Sequence, residues 1–124
     1  MTKHLHLIVR ATVEKPQTDQ ILARLELQDL IDSIDMRTLS GPHSEYVHTP
    51  GNRGMTVSAI IETSHIVMHT WDETDPALVQ LDVYSCKQFQ LNTVFEWFDQ
   101  YSPVNIEYKF LDRETGLKEI SNQI

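Results

Sequence analysis

Aliphatic and β-branched side chains dominate the first stretch of the chain, His4-Leu5-His6-Leu7-Ile8-Val9-Arg10-Ala11-Thr12-Val13. That enrichment predicts a strand over 4–13, broken by Glu14-Lys15-Pro16. The spacing then changes. Ile21, Leu22, Leu25, Ile31 and Ile34 fall mostly at helical intervals, with Asp and Gln on the other face. A helix is expected over roughly 18–34, with Thr18 as its cap. Met36 to Leu39 reads as a short strand, followed by turn chemistry at Ser40-Gly41-Pro42 and again at Pro50-Gly51-Asn52-Arg53-Gly54. Three further strands are expected, over Met55–Glu62, His65–Trp71 and Leu78–Cys86, with the polar stretch Asp72–Pro76 as a hairpin loop. Leu91, Val94, Phe95 and Phe98 recur at i, i+3, i+4 and i+7, predicting a second helix over about 89–101 that Ser102-Pro103 stops. Val104, Ile106, Tyr108 and Phe110 alternate with polar residues as a last strand, and beyond Asp112 a loosely held tail is expected.

The order β-α-β-β-β-β-α-β, with consecutive strands joined by short loops, implies a largely antiparallel sheet with two helices on one face. This is an α+β two-layer sandwich. The 124 residues suit one domain, 1–124, large enough for a real core. No internal repeat or low-complexity segment interrupts it.

Composition narrows the function classes. The formal net charge is −8, with acidic residues spread along the chain, so nucleic acid is not expected as a partner, because phosphate binding needs basic clusters. No run of about 18 apolar residues is present, so no membrane span is expected. The N-terminal segment Met1-Thr2-Lys3-His4-Leu5-His6 has no long apolar core of the signal-peptide kind, and cytoplasmic residence is the expectation. A single cysteine allows no intrachain disulfide.

Candidate chemistry concentrates between Thr63 and Cys86. In a strand over 65–71, His65, Val67, His69 and Trp71 share one face and Ile66, Met68 and Thr70 the other. If that strand pairs with 78–86, Cys86 lies near Ser64, and Ser64, His69 and Cys86 are expected to meet at one edge of the sheet. Each residue also has an ordinary structural reading: a serine at a strand start as a turn residue, a strand histidine as a half-buried polar group, a single cysteine as a small hydrophobe. Zinc is not expected. His65 and His69, four apart on a strand, stand about 13 Å from each other, and His4-x-His6 has no evident third ligand.

The segment Gly54-Met55-Thr56-Val57-Ser58-Ala59-Ile60-Ile61-Glu62-Thr63-Ser64-His65-Ile66-Val67-Met68-His69-Thr70-Trp71-Asp72-Glu73 closely resembles the prokaryotic S-adenosylmethionine decarboxylase family, as does Val79-Gln80-Leu81-Asp82-Val83-Tyr84-Ser85-Cys86. That family carries Glu-Ser-His, then Ile-His-Thr-Trp-Pro-Glu, then Asp-x-Phe-Thr-Cys. The resemblance implies a proenzyme that cleaves itself before Ser64. Its Oγ attacks the carbonyl of Thr63, the amide becomes an ester, and β-elimination leaves a chain that starts with a pyruvoyl group. In the same terms His69 assists the elimination and Thr56 supports processing. The pyruvoyl cofactor forms a Schiff base with the substrate amine and serves as electron sink for decarboxylation. Cys86 then reprotonates the α-carbon, a role that suits a thiol near neutral pH. Glu73 corresponds to a carboxylate at the substrate site, and Tyr46 and His48 fall where the family stacks the adenine. A homodimer, S-adenosylmethionine as substrate and a place in spermidine synthesis are implied in the same way.

The chain departs from the family in places that bear on this. Thr63 stands where the family has glutamate; Glu62 is displaced by one residue and so belongs to the opposite side of the strand. Asp72 replaces the proline between Trp and Glu, Lys87 replaces the glycine after the cysteine, and the 50–54 loop is longer. Arg10 occupies a position where the family carries an acid, and an arginine prefers a carboxylate to an amine. Two alternatives therefore stand beside the first reading. One is the same chemistry on another amino acid, such as arginine or ornithine, favoured by Arg10 and the long loop. The other is an uncleaved homologue that binds a ligand or partner, favoured by Thr63.

Overall fold

A computed structural model describes residues 3–120. Strand β1 runs over Leu5–Val13, helix α1 over Gln20–Ser33, then β2 Thr38–Val47, β3 Gly54–Ile61, β4 Ser64–Trp71 and β5 Ala77–Ser85. Helix α2 covers Leu91–Phe98, a 3₁₀ turn Asp99–Tyr101 extends it, and β6 Pro103–Asp112 and β7 Lys118–Glu119 follow. The strands form one sheet in the order β2-β3-β4-β5-β1-β6-β7, with every neighbouring pair antiparallel. The α+β sandwich expected from the element order is the architecture observed. None of the helices in the described residues is long and apolar enough to cross a membrane.

Alternation along the strands decides which side the helices cover. In β1, Leu5, Leu7, Val9, Ala11 and Val13 are buried, while Ile8 and Arg10 are exposed. In β5, Ala77, Val79, Leu81, Val83 and Ser85 form the matching row. Against this side α1 presents Ala23, Leu27, Leu30 and Ile31, and α2 presents Leu91, Val94 and Phe98. The opposite side of the sheet, carrying His6, Arg10, His65, His69, Gln80 and Asp82, bears no helix among the described residues.

Several boundaries differ from the sequence reading. The buried stripe of α1 is not built on Ile21, Leu22 and Leu25, which are 62%, 47% and 59% exposed. Ala23, Leu27, Leu30, Ile31 and Ile34 make a straighter run at three and four residue steps, and it is this run that packs. The cap is Asp19 rather than Thr18; its carboxylate accepts from the Leu22 N–H at 3.0 Å. Strand β2 continues through Ser40-Gly41-Pro42, which is an irregularity in an edge strand, with a register shift and Gly41 at φ +101°, not a turn. The expected loose tail instead contributes β7, where Lys118 and Glu119 pair with Asp112 and Leu111.

Candidate functional site

The β3–β4 hairpin is tight. Ile61 faces Ser64 in register, and only Glu62 and Thr63 lie between the strands. On its other side β4 pairs with β5, placing Ser64 opposite Ser85. The residue after Ser85 closes the contact: the Cys86 N–H donates to the Thr63 carbonyl oxygen at 2.8 Å. Thus Thr63, Ser64 and Cys86 meet at one end of the sheet. Ser64 has φ +149°, outside the ordinary range for a residue with a side chain. Strain of this kind costs on the order of 1–3 kcal/mol and persists only where the surroundings impose it.

Those surroundings are hydrogen-bonded. Ser85, fully buried, donates from its hydroxyl to Thr63 Oγ1 at 2.9 Å and accepts from the Lys87 N–H at 2.9 Å. The Thr63 hydroxyl donates to Met36 Sδ at 3.2 Å. The Lys87 ammonium reaches the Asp35 carbonyl at 2.6 Å, tying the Cys86 turn to the end of α1. Glu62 lies outside this network, in an exposed pairing with Arg37 at 3.8 Å. Ser85 was not among the candidate residues. Its signal was a hydroxyl at the end of an otherwise apolar row, directly before the cysteine.

A second group lies further along β4. Thr56 and His69 are register partners, and their Oγ1 and Nδ1 atoms are 2.9 Å apart. The His69 and Trp71 rings are 5.8 Å apart, and the Trp71 indole N–H donates to Asn52 Oδ1 at 3.0 Å. Thr56, His69 and Trp71 line a cleft of about 260 Å³ with Asn52 and Gly54. This group does not meet Ser64 in one chain. Five residues of strand separate Ser64 from His69, about 16 Å. Ser64 also falls in the alternation of buried Ile66, Met68 and Thr70, whereas His69 shares the open side with His65 and Val67. The expected convergence of Ser64, His69 and Cys86 holds for the first and last only.

Tyr46 and His48, 4.8 Å apart by their ring centres, border a cleft of about 590 Å³ with Arg53 and the Thr18–Ile21 segment leading into α1. Tyr46 pairs with the buried Met55, so it lies on the helix-covered side, across the sheet from Thr56 and His69. Its hydroxyl donates to the Asp72 carboxylate, which raises the phenol pKa. Asp72 also receives the Arg53 guanidinium at 3.3 Å. Glu73 accepts from the backbone N–H groups of Gly51 and Arg53, each at 3.1 Å, and these bonds hold its carboxyl below the usual range. The β4–β5 loop therefore clamps the 50–54 loop through Trp71, Asp72 and Glu73. Asn52, Arg53 and Asp72 were not picked out as site residues. Their role depends on two loops meeting, which no local pattern announces.

Comparison with known proteins bears on what this arrangement serves. The family described as S-adenosylmethionine decarboxylase matches residues 7–114. The crystal structure of the adenosylmethionine decarboxylase from Aquifex aeolicus VF5 superposes with a TM-score of 0.68 at 25% identity, covering 98% of each chain.

Proposed function

We propose that this chain, which belongs to the S-adenosylmethionine decarboxylase family, cleaves itself between Thr63 and Ser64 and decarboxylates S-adenosylmethionine with the pyruvoyl group so formed. The observation that carries the reading is the 2.8 Å hydrogen bond from the Cys86 N–H to the Thr63 carbonyl oxygen, at a peptide bond whose serine is held at φ +149°. A donor aimed at a carbonyl oxygen stabilises the negative charge that grows there when a nucleophile adds to the carbon. Backbone strain at the same bond raises the ground state and is relieved when the chain parts.

The steps of processing follow from these positions. Ser64 Oγ adds to the Thr63 carbonyl carbon, the Thr63–Ser64 C–N bond breaks, and the residues are joined through an ester. Loss of the Ser64 α-proton and cleavage of the Cβ–O bond of the ester then free the Thr63 carboxylate and leave a dehydroalanine, whose imine tautomer takes up water and releases ammonia to give the pyruvoyl group. Thr63 and Ser85 are the hydroxyls that hold the turn for this step, the first standing where relatives in the resemblance carry glutamate. The surroundings fit a pyruvoyl at position 64: the residue begins a paired strand, and Cys86 adjoins it. A carbonyl conjugated at that point supplies a sink for the electron pair left by loss of CO₂. Cys86 is then the group placed to return a proton to carbon.

For His69 and Thr56 to act on the same residue 64, a second copy has to supply them, because one chain holds them about 16 Å apart along the strand. The reading therefore includes a homodimer. Tyr46 and His48 remain proposed as contacts to the adenine. Glu73 remains proposed as a carboxylate at the substrate site, where its bonds to the 50–54 loop hold it.

A second reading, the same chemistry on arginine or ornithine, draws on Arg10. It lines a cleft of about 450 Å³ with Gln80 and His69 on the open side of the sheet. Its pairing with Glu107, at 3.2 Å, is exposed and readily exchanged. Release of CO₂ from carboxyl-labelled S-adenosylmethionine, arginine and ornithine separates the readings. Ser64→Ala is expected to abolish cleavage and CO₂ release together, whereas Cys86→Ala leaves cleavage and lowers turnover. Full turnover by Cys86→Ala would remove the thiol from the mechanism.

A further inference from the structure

Directly after Ser64 the chain carries His65, and the open side of the sheet builds a charged cluster around it. His6, Tyr84 and His65 stand side by side on β1, β5 and β4 as register partners. The Tyr84 ring lies 5.5 Å from each imidazole. Asp82, two residues before Tyr84, comes within 2.6 Å of His6 Nε2 and 3.6 Å of His65 Nε2 through the same oxygen, Oδ1. Arg113 covers the cluster, with its guanidinium carbon 3.9 Å from the Tyr84 ring centre and Nη1 3.4 Å from His6 Nδ1.

The donors and acceptors fix each group's part. A guanidinium only donates, so the His6 nitrogen facing Arg113 is the acceptor, and His6 Nε2 carries the hydrogen that it gives to Asp82. His6 is thereby committed, with its side chain 14% exposed. His65, 43% exposed, is the member whose hold among the described residues comes from Asp82 and Tyr84. Its backbone nitrogen is bonded to residue 64.

We infer that Asp82 is a positioning residue that holds His65, and through it residue 64. This rests on the cleavage proposed above. Before cleavage, residue 64 is fixed from both sides, by Thr63 and by His65. After cleavage the covalent hold from Thr63 is gone, and His65 becomes the sole covalent anchor of the reactive group. A side chain pinned to the sheet at that residue limits the swing of the new chain end, and small displacements of reacting atoms are costly in rate. Arg113 and His6 serve by fixing the Asp82 carboxylate.

The test compares wild type with Asp82→Asn, which removes the charge at constant size, and Asp82→Glu, which restores it. Freshly synthesised chain is followed on a denaturing gel for cleavage, and the cleaved enzyme is assayed for kcat and KM separately. For Asp82→Asn the expected result is cleavage near the wild-type rate and kcat lowered on the order of tenfold, with KM within about twofold of wild type and partial recovery of kcat in Asp82→Glu. Wild-type kcat in Asp82→Asn, or a change confined to KM, overturns the inference. If Asp82→Asn does not fold, His65→Gln, which leaves the His6–Asp82 contact in place, is expected to show the same lowered kcat, and wild-type kcat there overturns it equally. Failure of the underlying reading is distinguishable because it is visible in wild type: a chain that never parts overturns both claims.

Discussion

Glu73 carries a charge that the fold holds in place. Its carboxylate accepts from the Arg53 and Gly51 N–H groups, and its pKa is lowered from 4.5. A group whose pKa is depressed in the folded state contributes stability above its unfolded pKa and loses it as the pH falls through the folded one. The clamp is thus complete at neutral pH and releases as the pH falls below the ordinary carboxylate range and through that lowered value. Hydrogen exchange at the Gly51 and Arg53 amides, corrected for intrinsic rates, is expected to lose protection in that window and in Glu73→Gln at neutral pH. Unchanged protection of both amides in Glu73→Gln at neutral pH would contradict the clamp. At this scale the meeting of Ser64 with Cys86 was legible, because two adjacent strands of similar length place the start of one beside the end of the other. The separation of Ser64 from His69 was also written in the strand rise, and five residues in line cannot converge. The part played by Glu73 was not legible, since it depends on how far a loop on another hairpin reaches.

Strands and helices followed their apolar periods, and the departures have identifiable causes. In α1 two aliphatic sets compete; the smaller Ala23 belongs to the one that packs, letting the helix approach the sheet, and Ile21 and Leu25 are left outside. Pro42 in β2 is tolerated because β2 is an edge strand. The two glycines of the 50–54 loop make contrasting demands. At Gly54 an added Cβ would lie 1.7 Å from the Thr70 carbonyl oxygen, so β3 can approach β4 there only without a side chain. At Gly51, φ is +88° and the surrounding space is open. Gly51→Ala is therefore expected to cost about 1–2 kcal/mol in urea unfolding, from backbone strain alone. Gly54→Ala is expected to cost more than Gly51→Ala and to disturb the Thr56–His69 pair. Equal midpoints for the two variants would contradict the close approach.

Across the whole molecule one side of the sheet is roofed by helices, and Ser64 and Tyr46 fall in the alternation of that side, while the other side carries Thr56, His69 and Arg10. The fold class was legible from element order, but not the insertion of β1 between β5 and β6, which is a long-range pairing with no local signature. The separated halves of the site make a prediction about assembly. Ser64→Ala and His69→Ala, each impaired alone, are expected to regain activity when co-expressed, because a mixed dimer contains one intact combination of residue 64 and His69. Absence of recovery in a demonstrated mixed dimer would contradict the supply of His69 by a second copy.

The central claim is cleavage, and an intact mass spectrum of the purified wild-type protein tests it most directly. Two fragments that meet at Thr63/Ser64, the second blocked at its start by a pyruvoyl group, are predicted. A single chain of 14.4 kDa that stays whole over days in solution would contradict it, and would leave the fold serving as a binding protein.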